Sequence, residues 1–382
     1  MRILGLVVLF IVLQSKLVAG QPEWMSPLPD FPVAATETVS GVAAAYMVGS
    51  DAGVYVIGGT NYTGLLGSPA NEKEFYPNVF RFTGNEWELS GRLRQPLAHG
   101  VAVAWEDGFV YIGGEGRKGS QTDVDLYRFY PGELPVIESL SSLPEPMDRM
   151  AVAVAGPMVY IAGGRANGIA SNKLYCMNLD NPDPGWQLVS VFPGEPRIQP
   201  VMVAVERFGR THLYLWGGYA VAADGSTVCV MPDGLLYDTE LDSWTSLAPP
   251  KDKKGRIISL TGGTMSVWNK TQLIVTGGVD EVLLLHSLLG DNSYGELIFQ
   301  SNEHSSHKPA FHPKMLVYDI EEKKWKEVLT NRAFARAGAA AAVVNDELLL
   351  FQGEEKPGSC TSQSYRMNLK EIKQLKSGVK HK

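Results

Sequence analysis

The chain has 382 residues, of which 45% are hydrophobic and 20% charged, and its formal net charge is −7. The charges show no long run of one sign, so the basic footprint of a nucleic-acid-binding protein is absent and no nucleic-acid partner is expected. The one basic cluster, which begins at Lys370, is interpreted as a solvated C-terminal end. This length fits two or three average domains, but internal repeats favour a single closed unit.

The first residues have the pattern of a targeting segment. Arg2 precedes an apolar run from Ile3 to Leu13, and small residues follow at 18–20. This run is short for a membrane span and typical of a signal peptide. We expect residues 1–20 to be removed, which leaves residues 21–382 without a membrane anchor and exported to a periplasm or secreted. An uncleaved N-terminal anchor is the alternative.

Six short apolar stretches recur along the rest of the chain, about 50 to 75 residues apart, and each ends at a glycine pair or its remnant. Their β-branched and aromatic residues are typical of strands. The stretches end at Gly58-Gly59, Gly113-Gly114, Gly163-Gly164, Gly217-Gly218, Gly277-Gly278 and Gln352-Gly353.

A period near 50 with a strand that ends in a glycine pair indicates kelch repeats, which form propeller blades. We therefore predict an all-β protein, a six-bladed kelch-type β-propeller in which each blade is a four-stranded antiparallel sheet. Most repeats carry a Tyr or Phe and then a Trp, but no Trp follows Tyr365 in the last one. Because Trp24 stands before the first repeat, we expect an N-terminal strand to complete the last blade and close the ring. The C-terminal segment from Lys370 is the alternative source of that strand.

Two carboxylates follow a strand-end glycine directly. Glu354 lies in the sequence QGEEKPG at residues 352–358, and Glu115 follows Gly113-Gly114. A carboxylate at a partly desolvated channel mouth can have a raised pKa and exchange protons near neutral pH. The alternative role of each is a hydrogen bond within its own loop.

Arginines mark the loops that enter the blades. Arg197 and Gln199 lie in FPGEPRIQP before the fourth blade, and Arg336 and Arg149 lie in similar loops before the sixth and third. An arginine at one rim of the channel can bind a substrate carboxylate in a bidentate way. We expect Glu354, Glu115, Arg197 and Arg336 to share one channel mouth, although these arginines could instead bond neighbouring loops.

The fifth repeat contains an insertion at about residues 280–314, long enough to cover the channel mouth as a lid. Its His304, His307 and His312 have spacing compatible with a metal site, but the polar setting favours solvent exposure. We therefore expect no metal at these histidines. There is no phosphate cradle and no serine nucleophile motif, and no cofactor is expected. Three cysteines give no disulfide framework. Sequons begin at Asn61 and Asn269.

The chain resembles the N-acetylneuraminate epimerase (sialate mutarotase) family of exported kelch propellers. The motifs that carry the likeness are FPGEPRIQ leading to LYLWGG, LAHGVAVAWEDGFVYIGGEG, GGVDEV with its insertion, and AGAAAAVVNDELLLFQGEEKPG. The blade with QGE comes last here and in the middle of better-known members. The order is therefore similar to that of the cyclically permuted mutarotases, and a closed ring tolerates such a permutation because its termini are adjacent.

This resemblance implies an isomerase that interconverts the α and β anomers of N-acetylneuraminic acid, a small sugar acid, without a cofactor. The family motif GExKPGxR places its catalytic Glu at Glu354 and its catalytic Arg at Cys360, and this second position is a departure because a thiol carries no permanent charge. Arg197 and Arg336 would then hold the sugar carboxylate, with Glu115 as a second acid-base candidate. Gln199 and Asn61 would bond hydroxyl or N-acetyl groups.

The loss of the arginine at residue 360 leaves an alternative open. The chain could be an exported, non-catalytic kelch propeller that binds a glycan or a protein. A copper oxidase would need a Tyr-Cys crosslink and two His ligands on one face, and the sequence shows no such grouping.

Overall fold

The computed structural model describes residues 22, 24–32, 41–50, 53–62, 72–130, 133–222, 227–280 and 311–372. The signal peptide expected at residues 1–20, and most of the insertion with His304 and His307, lie outside the described residues. No helix within the described ranges is long and apolar enough to cross a membrane.

Six four-stranded antiparallel sheets make up the protein, and they are the six predicted blades. Blade 1 consists of Tyr46–Ser50, Gly53–Ile57, Asn78–Phe82 and Trp87–Arg92. Blade 2 consists of Val101–Trp105, Gly108–Ile112, Val124–Arg128 and Val136–Ser139. Blade 3 consists of Ala151–Ala155, Met158–Ala162, Lys173–Asn178 and Gln187–Val191.

The second half of the chain repeats this arrangement, and blade 6 takes its outermost strand from the N-terminus. Blade 4 consists of Val201–Arg207, Arg210–Trp216, Gly234–Asp238 and Ser243–Leu247. Blade 5 consists of Thr264–Asn269, Gln272–Thr276, Lys314–Asp319 and Lys324–Thr330. Blade 6 consists of Ala340–Val344, Glu347–Phe351, Ser364–Asn368 and Met25–Leu28.

The prediction that the N-terminal strand completes the last blade is confirmed. Met25–Leu28 pairs antiparallel with Ser364–Asn368, so that Pro27 lies opposite Tyr365. The carbonyl of Trp24 accepts a hydrogen bond of 2.9 Å from the amide of Asn368. The two termini are thereby joined in one sheet, and the first strand of blade 6 packs beside the first strand of blade 1.

Successive blades pack through separate hydrophobic clusters, and the alternation of strand residues explains how one sheet serves two neighbours. Val54 and Val56 of blade 1 pack against blade 6, whereas Tyr55 and Ile57, on the opposite face, pack against blade 2. Both faces of a blade are therefore buried, and its second strand is apolar at nearly every position.

Short hairpins project from the ends of the blades where the glycine pairs lie. They pair Thr60–Tyr62 with Lys73–Phe75, Glu115–Gly116 with Gly119–Ser120, Arg165–Ala166 with Ile169–Ala170, Tyr219–Val221 with Val228–Val230, and Glu354–Lys356 with Ser359–Cys360. Met147–Asp148 joins the third of these hairpins, a 3-10 helix covers Arg332–Phe334, and a helical segment spans residues 369–372.

Glycine is required where these hairpins begin, because segments of neighbouring blades approach each other closely there. Gly114 has a φ of 103°, and a Cβ placed there would lie 2.0 Å from the hydroxyl of Tyr46. That hydroxyl donates a hydrogen bond of 2.7 Å to the carbonyl of Gly113, which ties blade 1 to blade 2. In blade 6, Gln352 replaces the first glycine and keeps a positive φ of 48°.

A closed ring of backbone hydrogen bonds surrounds the channel at this end. One residue in each loop that enters a blade donates its amide hydrogen to the carbonyl of the equivalent residue in the preceding blade, over 2.6 to 3.4 Å. All six residues have a positive φ between 52° and 67°. We call them the channel ring: Ala44, His99, Arg149, Gln199, Gly262 and Gly338. Six equivalent residues bonded in a cycle mean that the six blades surround one channel.

Candidate active site

The residue that follows the glycine pair of each blade lies beside the channel ring. Glu354, for example, exchanges two backbone hydrogen bonds with Ala337, the residue before ring member Gly338, over 2.8 and 3.0 Å. Glu115 exchanges the same pair of bonds with Ala98, next to His99. Residues from distant repeats therefore meet at one mouth, and the equivalent positions are Thr60, Glu115, Arg165, Tyr219, Val279 and Glu354.

Glu354 is the carboxyl group best suited to proton transfer. Burial raises its pKa to about 7, and the backbone amide of Gly358 and the charge of Lys73 only partly oppose this effect. Its one hydrogen bond within the described part of the chain is a long one, 3.4 Å from the amide of Gly358 to Oε2. Near neutral pH the side chain is therefore present in both protonation states and retains free lone pairs for a ligand.

Cys360 lies directly opposite Glu354 in the blade 6 hairpin. Its thiol is 3.7 Å from the carbonyl of Thr60, toward which it donates. Burial, and then the charge of Glu354, raise the pKa of this thiol far above its ordinary value. The position that carries arginine in the family motif therefore holds a neutral group. Because no cation stands there, Glu354 is free of the ion pair that would lower its pKa.

Glu115 has the opposite environment, although it occupies the equivalent position. Its carboxylate accepts hydrogen bonds from Lys73 at 2.7 Å, Arg149 at 3.0 Å and Arg165 at 2.9 Å. Burial would raise its pKa, but the charges of Arg149, Lys73 and Arg165 outweigh that effect and lower it to about 2. Glu115 is a permanent anion that already accepts three hydrogen bonds from cations, so it is a weak base.

The positively charged side chains around Glu115 outnumber the carboxylates. Asp148 is fully buried and accepts hydrogen bonds from Ser120, Arg149 and Arg165. The pKa of His99 is held well below 6.5 by burial and by the nearby cations, so its ring is neutral. Within the described residues, Lys73, Arg149 and Arg165, which we call the cation cluster, form their ion pairs with Glu115 and Asp148. Three cations thus meet two carboxylates, which leaves one positive charge that the cluster's own carboxylates do not compensate, and Glu354 is near enough for Lys73 to lower its pKa.

Arg165 is the member of this cation cluster that can most readily accept a ligand. Its side chain is 29% exposed, against 14% for Arg149. Its Nε and Nη2 bind Asp148 and Glu115, whereas its Nη1 makes no hydrogen bond within the described part of the molecule. The edge of the guanidinium group formed by Nε and Nη2 therefore bonds two carboxylates, and Nη1 is free to bond a third.

Tyr62 lies within electrostatic range of both Glu354 and the cation cluster. The pKa of its phenol is raised first by burial and then by the charge of Glu354, while Arg149 opposes the shift. The side chain is partly exposed, and its hydroxyl has no hydrogen-bond partner among the residues that the structure describes. It is therefore a protonated donor close enough to Glu354 and to Arg149 for both charges to act on it.

Arg197 and Arg336 lie in entry loops at this end, but their side chains are buried, each with 1% exposure. Arg197 bonds the carbonyls of Gly217 and Asp233 and the carboxylate of Asp233. Arg336 bonds the carbonyls of Gln352 and Gln363 at 2.9 and 2.6 Å. This geometry favours a role in fastening the turns of their own blades. Their contact with a substrate carboxylate stays a prediction that the geometry does not favour.

Gln199 and Asn61, the two residues predicted to bond hydroxyl or N-acetyl groups of the sugar, also differ in burial. Gln199 belongs to the channel ring and is partly exposed, so it can reach a ligand. Asn61 is buried, donates to the carbonyl of Gly41 at 3.1 Å and accepts from Tyr76 at 2.7 Å. This amide stabilises the loop of blade 1, which makes both ligand binding and glycan attachment at Asn61 unfavourable in the folded protein.

Nothing in the described ranges forms a group of three or more His, Cys, Asp or Glu side chains able to hold a metal ion. His312 is the described member of the predicted histidine group. Burial lowers its pKa, and its amide donates to the carbonyl of Gly278 at 3.1 Å.

Sequence reasoning missed Tyr62, Lys73, His99 and Arg165. A signal for Arg165 was present, because it follows its glycine pair as Glu115 and Glu354 follow theirs. Alignment of the entry loops would also have shown that Arg149 matches Gln199 and His99, whereas Arg197 matches Arg336 two residues earlier. This offset of two residues separates side chains in the channel from side chains in the core.

Comparison with known proteins supports the resemblance seen in the motifs. The sequence model described as N-acetylneuraminate epimerase matches residues 140–377. The chain is 26% identical over 238 residues to N-acetylneuraminate epimerase of Salmonella arizonae, covering 60% of this chain and 58% of that protein. It is 28% identical over 205 residues to the protein of that name from Yersinia enterocolitica, covering 51% and 50%. The aligned part thus spans between half and three-fifths of these relatives' length. Because the family match covers more than half of the chain, the protein belongs to the N-acetylneuraminate epimerase family.

Proposed function

We propose that the protein interconverts the α and β anomers of N-acetylneuraminic acid by acid-base opening and closure of the sugar ring. The observation that carries this proposal is the pairing, at one channel mouth, of a carboxyl group with a pKa of about 7 and a cation cluster with one uncompensated positive charge. A monoanionic sugar acid supplies the missing negative charge, and its anomeric carbon bears both the carboxylate and the reacting hydroxyl.

The reaction needs only proton transfers. The carboxylate of Glu354 takes the proton of the anomeric hydroxyl, the bond from the anomeric carbon to the ring oxygen breaks, and a ketone forms. The ring oxygen takes a proton from a donor, for which Tyr62 is our assignment. Rotation about the adjacent carbon–carbon bond presents the other face of the ketone, and the reverse transfers close the ring. Atoms and charge balance without an oxidant, and a positioned base typically contributes about 10²- to 10⁴-fold.

Arg165 is our assignment for the substrate carboxylate, because the two N–H groups of its Nη1 are open and hydrogen bonds from a charged guanidinium group to a carboxylate are strong. Glu115 and Asp148 hold this guanidinium in place by three hydrogen bonds of 2.9 to 3.0 Å. Glu115 therefore acts as a positioning residue rather than as a second base. Gln199 is placed to bond a hydroxyl or an N-acetyl group.

A second function remains open because of Cys360. The thiol provides neither the charge nor the hydrogen-bond donors of the arginine in the family motif. A protein with this mouth could bind the same sugar acid, or a glycan that carries it, without accelerating anomer exchange. The two functions share the cation cluster and differ in whether Glu354 exchanges a proton with the ligand.

Proton NMR of the freshly dissolved α anomer tests the proposal and separates the two functions. We expect the α signal to decay to equilibrium faster in proportion to protein concentration. An unchanged decay rate, together with line broadening that shows binding, would support the binding function. An unchanged rate without broadening would contradict both.

We also propose that the protein acts outside the cytoplasm, after removal of residues 1–20, in a periplasm or in the medium. The charged, apolar and small-residue regions of that segment support this proposal. N-terminal sequencing of the exported protein should begin near Gln21.

A further inference from the structure

The six members of the channel ring share one backbone conformation but differ in their side chains. Each is partly exposed, whereas the residue before it is buried, so the ring members face the channel. Three consecutive blades carry His99, Arg149 and Gln199. The other three, in ring order, carry Gly262, Gly338 and Ala44. At the level of the channel ring, the described residues thus carry polar side chains on one side and no side chain beyond Cβ on the other, which we call the bare side.

The packing around Gly262 leaves room for a side chain. Four of the six members are not glycine and still adopt a φ between 52° and 60°, a region that usually favours glycine. A Cβ added to Gly262 would meet Val279 at 3.5 Å, Gln199 at 3.7 Å and Ala337 at 3.9 Å, all ordinary contact distances. At Gly338, by contrast, a Cβ would lie 3.2 Å from the backbone nitrogen of Ala44, which is a tight contact. The absence of a side chain at residue 262 is therefore a property of the sequence, whereas close packing favours glycine at residue 338.

Glu354 and the cation cluster also lie in different parts of the mouth. Glu354 belongs to blade 6, beside Gly338, and its hairpin reaches blade 1 through Cys360 and the carbonyl of Thr60. The cation cluster takes Arg149 and Arg165 from blade 3, on the polar side, and Lys73 from blade 1. A ligand that touches both Arg165 and Glu354 must extend from the polar side to blade 6, on the bare side.

We propose that the bare sector formed by Gly262, Gly338 and Ala44 seats the body of a carboxylate-bearing pyranose, whose carboxylate points to Arg165. The inference rests on the proposed function for the identity of the ligand. It adds where the sugar ring lies and why: at the channel ring, three adjacent blades carry no side chain beyond Cβ. The same asymmetry selects for a monoanion with a bulky polar body over a small carboxylate such as acetate.

Substitutions that add a large side chain to the bare sector test the proposed seat of the sugar. Ala44→Gln introduces a side chain that the ring already accepts, since Gln199 occupies the equivalent position with nearly the same φ. Gly262→Gln does the same from another blade and keeps the test valid if one variant fails to fold. The matched control is Ala104→Gln, which makes the same change at an exposed position near the opposite end of an innermost strand.

Calorimetric titration with N-acetylneuraminic acid, together with the NMR rate measurement, gives the readout. We expect Kd to rise at least about tenfold for Ala44→Gln and Gly262→Gln and to stay unchanged for Ala104→Gln, because an added side chain displaces the ligand from a packed site. Binding of either sector variant at the original Kd would overturn the inference, as would an equal loss for Ala104→Gln.

The outcomes separate this inference from the proposed function. If the unmodified protein accelerates anomer exchange but the sector variants bind normally, the seat lies elsewhere and the function stands. If it binds the sugar without accelerating exchange and the sector variants lose binding, the function is wrong and the seat stands. No binding by the unmodified protein would contradict both.

Discussion

Glu354→Gln should reduce the acceleration of anomer exchange by at least about 10²-fold, which corresponds to roughly 2.7 kcal/mol of transition-state stabilisation. Glutamine keeps the size of the side chain and can still accept a hydrogen bond from Gly358, but it cannot take up a proton. We expect the Kd of the sugar to change little. The decay of the α anomer followed by proton NMR, with Kd from calorimetry, measures both quantities.

Glu355→Gln is the matched control, because it makes the same change at the next residue of the same hairpin. Glu355 is 43% exposed, and its carboxylate lies 3.7 Å from Nη2 of Arg336. We expect the control to retain the original rate. If Glu354→Gln retained more than about half of the acceleration, Glu354 would not be the base.

Arg165→Met should raise the KM for N-acetylneuraminic acid by about 10²-fold, because it removes both the uncompensated charge and the open Nη1. Charge-assisted hydrogen bonds of this kind contribute about 1.5 to 3 kcal/mol. Arg165→Lys restores the charge without the planar fork and should show an intermediate KM. Initial rates over a range of sugar concentrations give these values.

Arg128→Met provides the control for net charge. Arg128 pairs with Glu106 and Glu138 at the far end of blade 2, so its removal changes the charge of the protein equally but away from the mouth. An equal rise in KM for Arg128→Met would show that Arg165 acts only through the overall field. An unchanged KM for Arg165→Met would remove it from the carboxylate site.

The fold was predictable because each blade repeats the same physical solution. The apolar strand that ends at a glycine pair reappears six times, and the displaced Trp24 indicated which blade takes the N-terminal strand. Pairing of Pro27 with Tyr365 confirms this. The closed cycle of hydrogen bonds through the channel ring could not be read from one sequence, because it depends on how far successive entry loops are offset.

The site was predictable only in part, because burial decides the role of each charged residue. Glu354 and Glu115 both follow a strand-end glycine and occupy equivalent positions, yet one has a pKa near 7 and the other near 2. The difference comes from Lys73, Arg149 and Arg165, which belong to two other repeats and the same mouth. Arg197 and Arg149 also look alike in sequence, but an offset of two residues buries the first and exposes the second.

The pH dependence of the acceleration tests the central claim most directly. Because the ionised carboxylate of Glu354 is the proposed base and burial raises its pKa to about 7, kcat/KM should rise with pH, reach half its maximum near pH 7, and fall about tenfold per unit below that. Cys360→Arg places a cation opposite Glu354 and should move this midpoint down by about 1 to 3 units. Acceleration that stays constant between pH 5 and pH 8 in the unmodified protein, after subtraction of the spontaneous rate, would contradict the account.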